Sequence, residues 1–252
     1  MINIVIPMAG RGSRFQKEGY KLPKPLIPIH GHPMIEVVIN NLRPAYEHRF
    51  IFLCLKEHLD EFKLDSYLRN LSPGCQIIIV DKVTEGAACT VLLAKEYINN
   101  NDQLMIANCD QWVDMDINKY LAYMDDNRLD GLIMTMWADD PKWSFVGFDA
   151  NGKVCEVVEK QVVSNEATVG IYNYRQGKDF VTAAESMIAQ ELKVNNEFYV
   201  APAYDEMIKA GSAIGVYNVG KVFDGMYGLG IPEDLNNFIN DKISMKAIKL
   251  GG

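Results

Sequence analysis

The sequence predicts an α/β protein of three layers, α/β/α, with a mostly parallel central sheet. Two observations predict it. Short runs rich in Ile and Val alternate with helical patterns through the first half of the 252 residues, and strands buried on both faces read as such continuous apolar runs. After Trp137 the texture changes to shorter strands around Asp149-Ala150-Asn151-Gly152, whose Asn-Gly pair signals an inserted β-hairpin. Strand-helix alternation implies right-handed crossovers between parallel strands. Single cores stop growing near roughly 250 to 300 residues, so 1–252 is read as one domain with halves of about 1–137 and 138–252.

In chain order, strands are expected over 2–6, 50–55, 76–80, 104–107 and 131–137. Helices fit between them over 33–42, with Pro33 in the first turn, over 57–71, where apolar and charged faces alternate, and over 86–98 and 117–127. The second half is expected to hold hairpin strands over 144–148 and 154–159, a strand over 168–174, helices over 178–191 and 201–210, and a last strand over 213–219. A Gly-rich turn then leads to a helix from Pro232 to about Met245. No internal repeat or low-complexity linker interrupts this order.

Hydrophobic residues make up 48% and charged residues 23%, a balance that favours a packed core over disorder. The net charge of -8 means that an anionic ligand must be met by locally gathered cations, and nucleic acid is not an expected partner. The apolar opening Met1-Ile2-Asn3-Ile4-Val5-Ile6-Pro7 has no basic leader, and no apolar stretch approaches the roughly 20 residues of a membrane span. A cytoplasmic protein without a membrane partner is therefore expected. Cys54, Cys75, Cys89, Cys109 and Cys155 show no paired spacing and read as free thiols.

Chemistry is suggested first by Met8-Ala9-Gly10-Arg11-Gly12-Ser13-Arg14-Phe15, which follows the first strand directly. Its glycines let backbone N–H groups approach a phosphate closely. Alone this is a weak signal, because it lacks the third glycine of a dinucleotide fingerprint and the Lys-Ser or Lys-Thr of a Walker A loop. What strengthens it is Lys21-Leu22-Pro23-Lys24-Pro25, where prolines hold Lys24 in a restricted frame. Transfer of a phosphoryl group rests mainly on positioned cations, and Arg14 and Lys24 are the candidates.

These segments resemble the nucleotidyltransferases that activate sugar 1-phosphates and related phosphorylated compounds. The likeness runs through Ala9-Gly10-x-Gly12-x-Arg14-Phe15, Lys24-Pro25-Leu26, Gly31-x-Pro33-Met34-Ile35, Thr84-Glu85-Gly86-Ala87-Ala88, Asn108-Cys109-Asp110, Glu159-Lys160 and Gly230-Ile231-Pro232-Glu233-Asp234-Leu235. It implies a Rossmann-like fold whose first half binds the nucleotide, while the second, with its hairpin, faces the acceptor. It also implies roles: Met8 to Ser13 and Thr84 to Ala87 for the nucleotide, with Gly86 under the base; Arg14 and Lys24 for the triphosphate; Asp110 for Mg2+; Lys160, Glu197 and Tyr199 for the acceptor. Within the family the pattern is similar to cytidylyltransferases of capsule precursor pathways. That puts CTP first among nucleoside triphosphates and phosphoglutamine first among small phosphorylated acceptors, with a sugar 1-phosphate second.

One departure is evident. The family often places a second metal-binding aspartate where this chain has Gly228, and Ile231 replaces the usual threonine. Asp224 is the expected substitute; otherwise Asp110, waters and phosphates hold the ion, as Mg2+ allows. His30-Gly31-His32 reads as a turn, not a metal pair, and Cys109 has no role in the chemistry. Trp137 and Trp143 read as packing residues with a base-stacking alternative. The expected reaction is in-line attack by an acceptor phosphate oxygen on the α-phosphorus, with pyrophosphate leaving. A glycosyltransferase reading Asn108-Cys109-Asp110 as a degenerate Asp-x-Asp, and a nucleotide-sensing subunit without catalysis, are the competing readings. A homodimer is the default assembly.

Overall fold

Strand residues alternate between two apolar layers, as a sheet covered on both faces requires. In the computed structural model, which describes residues 1–249, the strands are β1 (Ile2–Met8), β2 (Pro28–Ile29), β3 (His32–Pro33), β4 (His48–Leu55), β5 (Gln76–Val80), β6 (Gln103–Ala107), β7 (Gln111–Val113), β8 (Gly131–Trp137), β9 (Ser144–Phe148), β10 (Val154–Glu159), β11 (Glu166–Tyr174), β12 (Ile214–Val222) and β13 (Gly225–Gly228). All but β2 and β3 join one sheet, whose main path runs β5-β4-β1-β6-β11-β8-β12-β13-β7. Strands β5, β4, β1 and β6 are parallel, β11 runs antiparallel between β6 and β8, and β12 is parallel to β8. The hairpin β9–β10 is attached to β11 through β9. This is the expected three-layer α/β fold with a mostly parallel sheet.

The period-two pattern divides the core. Ile4, Ile6, Phe50, Phe52, Met105 and Ala107 face one layer with helices Met34–Leu42, Leu64–Leu71 and Ile117–Asp126. Val5, Ile51, Leu53, Leu104 and Ile106 face the other with Ala87–Leu92, Gly177–Ala189 and Ala203–Lys209. From β1 the chain passes outward to β4 and β5, then returns to β6 on the other side of β1. Loops after β1 and β6 therefore diverge, and such switch points leave a ligand crevice at the strand ends.

Several elements differ from the sequence reading. The helix expected over 57–71 is two, Lys56–Phe62 and Leu64–Leu71, separated by Lys63 in the left-handed region at φ 50°; the break turns Leu64 and Leu68 into the core. The helix over 86–98 is likewise divided into Ala87–Leu92 and Lys95–Ile98. Pro33 precedes its helix in an extended conformation. The Gly-rich turn near the end contains β13, bonded to both β12 and β7. The Asn-Gly turn does join a hairpin, but it uses Gly152 at φ 77° and an Asp149 side-chain acceptor for the Asn151 and Lys153 N–H groups.

Gly86 has φ 133°, and a Cβ there would meet Phe198 O at 2.4 Å and Phe198 N at 2.5 Å. Gly74 has φ 84° and nothing within 4 Å of a built Cβ. Gly86→Ala adds a backbone clash to the conformational strain, so it is expected to cost more than the roughly 1–2 kcal/mol of Gly74→Ala. Urea unfolding of the two variants measures the difference.

Candidate active site

The loop after β1 is shaped by a glycine that touches a lysine. Gly12 is left-handed at φ 62°, and a Cβ there would lie 3.2 Å from Lys24 Cβ, so a larger residue would push the two segments apart. Phe15, one residue past Arg14 and fully buried, pins the short helix Ser13–Lys17 to an apolar cluster with Ile27, Trp112, Tyr227, Leu229, Leu235 and Phe238. Pro23 is extended and leads into a single 3-10 turn, Lys24–Leu26. The rigid proline frame thus delivers Lys24 to the strand ends.

Lys24 Nζ donates to Asp110 Oδ2 at 2.7 Å, with both side chains about four-fifths buried. Burial opposes the Lys24 charge, but Asp110 outweighs it and holds the ammonium above its ordinary range, while Arg14 pulls the other way. Arg14 is thus within electrostatic reach of the pair. Cys109 is buried, which pushes its thiol up to about 11 against the opposing pull of Lys24; it stays neutral at pH 7. Asp110 caps no helix, because strand β7 follows it and its carbonyl accepts from Leu229 N–H.

A cleft of about 260 Å³ opens beside the pair, lined by Arg14, Asp110, Gln111, Lys142, Trp143 and Asp234 among others. A second cleft, of about 270 Å³, is lined by Ala87, Glu159, Thr168, Tyr172 and Tyr199. The two meet at Asn108, Lys142 and Trp143, which line both. A larger hollow of about 580 Å³ beside Arg43 and Lys246 contains none of these residues.

The other predicted residues are placed as follows. Met8 and Ala9 are buried at the end of β1, Gly10 and Arg11 are exposed on the loop, and Ser13 is exposed at the start of its short helix. Thr84 Oγ1 donates to Gly86 O at 2.9 Å, and Glu85 pairs with Lys193 at 2.7 Å. Phe198 N–H bonds Glu85 O and Ala88 N–H bonds Phe198 O, so Gly86 serves a close backbone approach and Ala87 reaches the second cleft. Lys160 Nζ donates to Tyr199 OH at 2.8 Å and lies 5.0 Å from the centroid of its ring. Burial pushes the Glu159 carboxyl up, against the Ser144 hydroxyl that donates to it. Glu197 is exposed in a tight loop after Asn195 and Asn196, both left-handed, and does not line either cleft.

Asp224 requires correction as a partner of Asp110. It lies in the β12–β13 turn, 78% exposed, with Lys221 3.9 Å away, and outside the cleft. The turn closes by backbone bonds between Lys221 and Asp224, which hold it away. His30 and His32 each have another partner, Ser244 Oγ at 2.8 Å and Glu36 Oε1 at 3.1 Å. Among the described residues no group of three or more His, Cys, Asp or Glu could hold a metal ion, at the Asp110 cleft or elsewhere, so an ion there would draw its remaining ligands from phosphates and water. The donors of that cleft fit Mg2+: the ion takes hard oxygens from one or two carboxylates plus phosphates, and Asp110 already holds a cation, the Lys24 ammonium.

Lys142 and Gln111 were not singled out from sequence. Lys142 follows Pro141 in the loop between β8 and β9, and no spacing marks it. Gln111 directly follows Asp110, and the short strand that buries it was invisible to periodicity.

A model of the nucleotidyl transferase family matches residues 4–215. The bifunctional protein GlmU of Methanococcus maripaludis strain C5 is 25% identical over 258 residues, covering 99% of this chain and 57% of that protein. The mannose-1-phosphate guanylyltransferase catalytic subunit beta of Dictyostelium discoideum is 24% identical, covering 90% and 63%. The chain therefore spans rather more than half the length of these curated relatives. A nucleoside-diphosphate-sugar pyrophosphorylase from Vibrio cholerae RC9 superposes with a TM-score of 0.80 at 26% identity, covering 94% of this chain and 100% of that one. The inositol-1-phosphate CTP transferase from T. maritima shares the fold, with a TM-score of 0.72 at 14% identity over 98% and 95% of the chains. The chain belongs to the nucleotidyl transferase family.

Proposed function

We propose that the protein transfers a nucleoside monophosphate from a nucleoside triphosphate to a small phosphorylated acceptor and releases pyrophosphate. The observation that carries this reading is the Lys24–Asp110 pair at 2.7 Å, set under a glycine turn and beside Arg14. Lys24 and Arg14 would neutralise the triphosphate, and the flexible backbone of Gly10 and Gly12 would admit its oxygens. Mg2+ held by Asp110 would supply further neutralisation of phosphate charge. The acceptor phosphate is itself the nucleophile, so the residues must align and shield, and none needs to attack.

The second cleft is the acceptor side in this reading. Its carboxylate Glu159 and the rings of Trp143, Tyr172 and Tyr199 suit an acceptor with an ammonium group, since a carboxylate pairs with it and aromatic faces attract it. Phosphoglutamine carries such a group at its α-carbon, at the opposite end from its phosphate, and the resemblance to capsule-pathway cytidylyltransferases supports CTP as donor. The second reading, a sugar 1-phosphate acceptor, is favoured by the 26% identity to a nucleoside-diphosphate-sugar pyrophosphorylase over nearly the whole chain.

Pyrophosphate release is expected with Mg2+ and CTP plus phosphoglutamine, and slower or absent with UTP, GTP, ATP or dTTP and with hexose 1-phosphates. Faster release with a hexose 1-phosphate would replace the acceptor, and no release with any pair would reject transfer in favour of nucleotide sensing. Lys24→Ala should lower kcat/KM by about 100- to 1,000-fold, the usual loss of one charge-stabilising group, with circular dichroism like that of the parent. A loss under about tenfold would remove Lys24 from transition-state stabilisation.

A further inference from the structure

Asp234 stands in the first turn of helix Pro232–Asn240. Its neighbour Leu235 is fully buried in the apolar cluster beneath the cleft, which fixes the face that the turn presents. A Cβ built on Gly228 would lie 3.5 Å from Asp234 Oδ2, and one built on Gly230 would lie 2.6 Å from Asp110 Oδ2. Two carboxylates thus lie against one strand end, each beside a glycine, and both line the same cleft. Burial pushes the Asp234 carboxyl up, and Lys142 and Arg14 oppose it through charge alone. Neither cation reaches it as a hydrogen-bond or salt-bridge partner among the described residues.

The cleft also holds a donor without a partner. Gln111 is 8% exposed and lines it, yet its Nε2 makes no hydrogen bond. An unpaired buried amide costs stability comparable to a lost hydrogen bond, and a ligand oxygen in the cleft would relieve it. Two carboxylates, an amide donor and the cations Arg14 and Lys142 line the cleft, with Lys24 on Asp110 behind it, an environment for a metal-bound polyphosphate.

We propose that Asp234 is the second carboxylate of a divalent-cation site with Asp110, supplied by the helix into the space beside Gly228. The proposal rests on the nucleotidyl-transfer reading above. A merely structural role for Asp234 is also concrete: an acidic residue in a helix's first turn favours the positive end of the helix dipole. The two roles separate in a measurement of metal binding.

The test is Mn2+ binding followed by water-proton relaxation enhancement, with CTP, UTP, GTP, ATP and dTTP tried in turn. The parent protein is expected to give an enhanced ternary complex with at least one nucleotide. Asp234→Asn should then weaken Mn2+ binding by about tenfold or more, the scale of losing a group that shapes a metal site, and Asp224→Asn should leave it unchanged. In the double variant Gly228→Asp/Asp234→Asn, which returns a carboxylate to the same space from the strand, binding should recover most of that loss. Parent-like binding by Asp234→Asn, a double variant as weak as the single one, or an equal loss in Asp224→Asn would overturn the assignment. No enhancement by the parent with any nucleotide would instead strike the transfer reading on which it rests.

Discussion

The candidate site depends on a small apolar cluster that lies off the two main cores. Phe15, Ile27, Trp112, Tyr227, Leu229, Leu235 and Phe238 come from five separate segments and pack together, with Trp112, Tyr227 and Phe238 in mutual ring contact at centroid distances of 5.4–5.8 Å. Every charged residue that lines the first cleft except Lys142, and the Lys24 paired with its Asp110, sits close in sequence to one of these anchors. Arg14 precedes Phe15, Lys24 precedes Ile27 by three, Asp110 precedes Trp112 by two, and Asp234 precedes Leu235. Burial of large side chains is worth about 1.5–3 kcal/mol each, enough to hold polar neighbours at a strand end in geometries they would not choose alone.

The electrostatics follow from that anchoring. In a chain of net charge -8, Arg14 and Lys142 line one cleft, and Lys24, paired with its Asp110, is repelled by Arg14. Asp110 makes the arrangement tolerable by pairing with Lys24. A polyphosphate would relieve the same repulsion more completely, because its charge is larger and spread over several oxygens. In the proposed reaction the pair would be a resting state, in which a carboxylate and an ammonium satisfy each other until a ligand separates them. The second cleft adjoins the first through Asn108, Lys142 and Trp143, and in the proposed reaction it would hold the acceptor.

Much of this was legible in the sequence because strong local signals carried it. The parallel strands announced themselves as Ile and Val runs, and β5, β8, β9 and β10 fall where periodicity put them. Arg14 and Lys24 stand out by charge type and loop context and Asp110 by family resemblance, and the fold brings Lys24 and Asp110 together across 86 residues. What stayed hidden has no local signature. Strands β7 and β13, of three and four residues, are held by tertiary pairing and by the aromatic cluster, not by propensity. Asp224 is suggested by its nearness in sequence to Gly228, whereas the β12–β13 turn carries it outside the cleft. Gly86 pointed to a ligand, yet the crowding at its Cα comes from the Phe198 backbone.

The most direct measurement is a crystal structure of the protein with a non-hydrolysable nucleoside triphosphate and Mg2+. The phosphates should lie between the Gly10–Gly12 backbone, Arg14 and Lys24, with the metal on Asp110 and Lys24 Nζ drawn toward a phosphate oxygen. A nucleotide bound elsewhere, with Lys24 still closed on Asp110 and the cleft empty, would contradict the account.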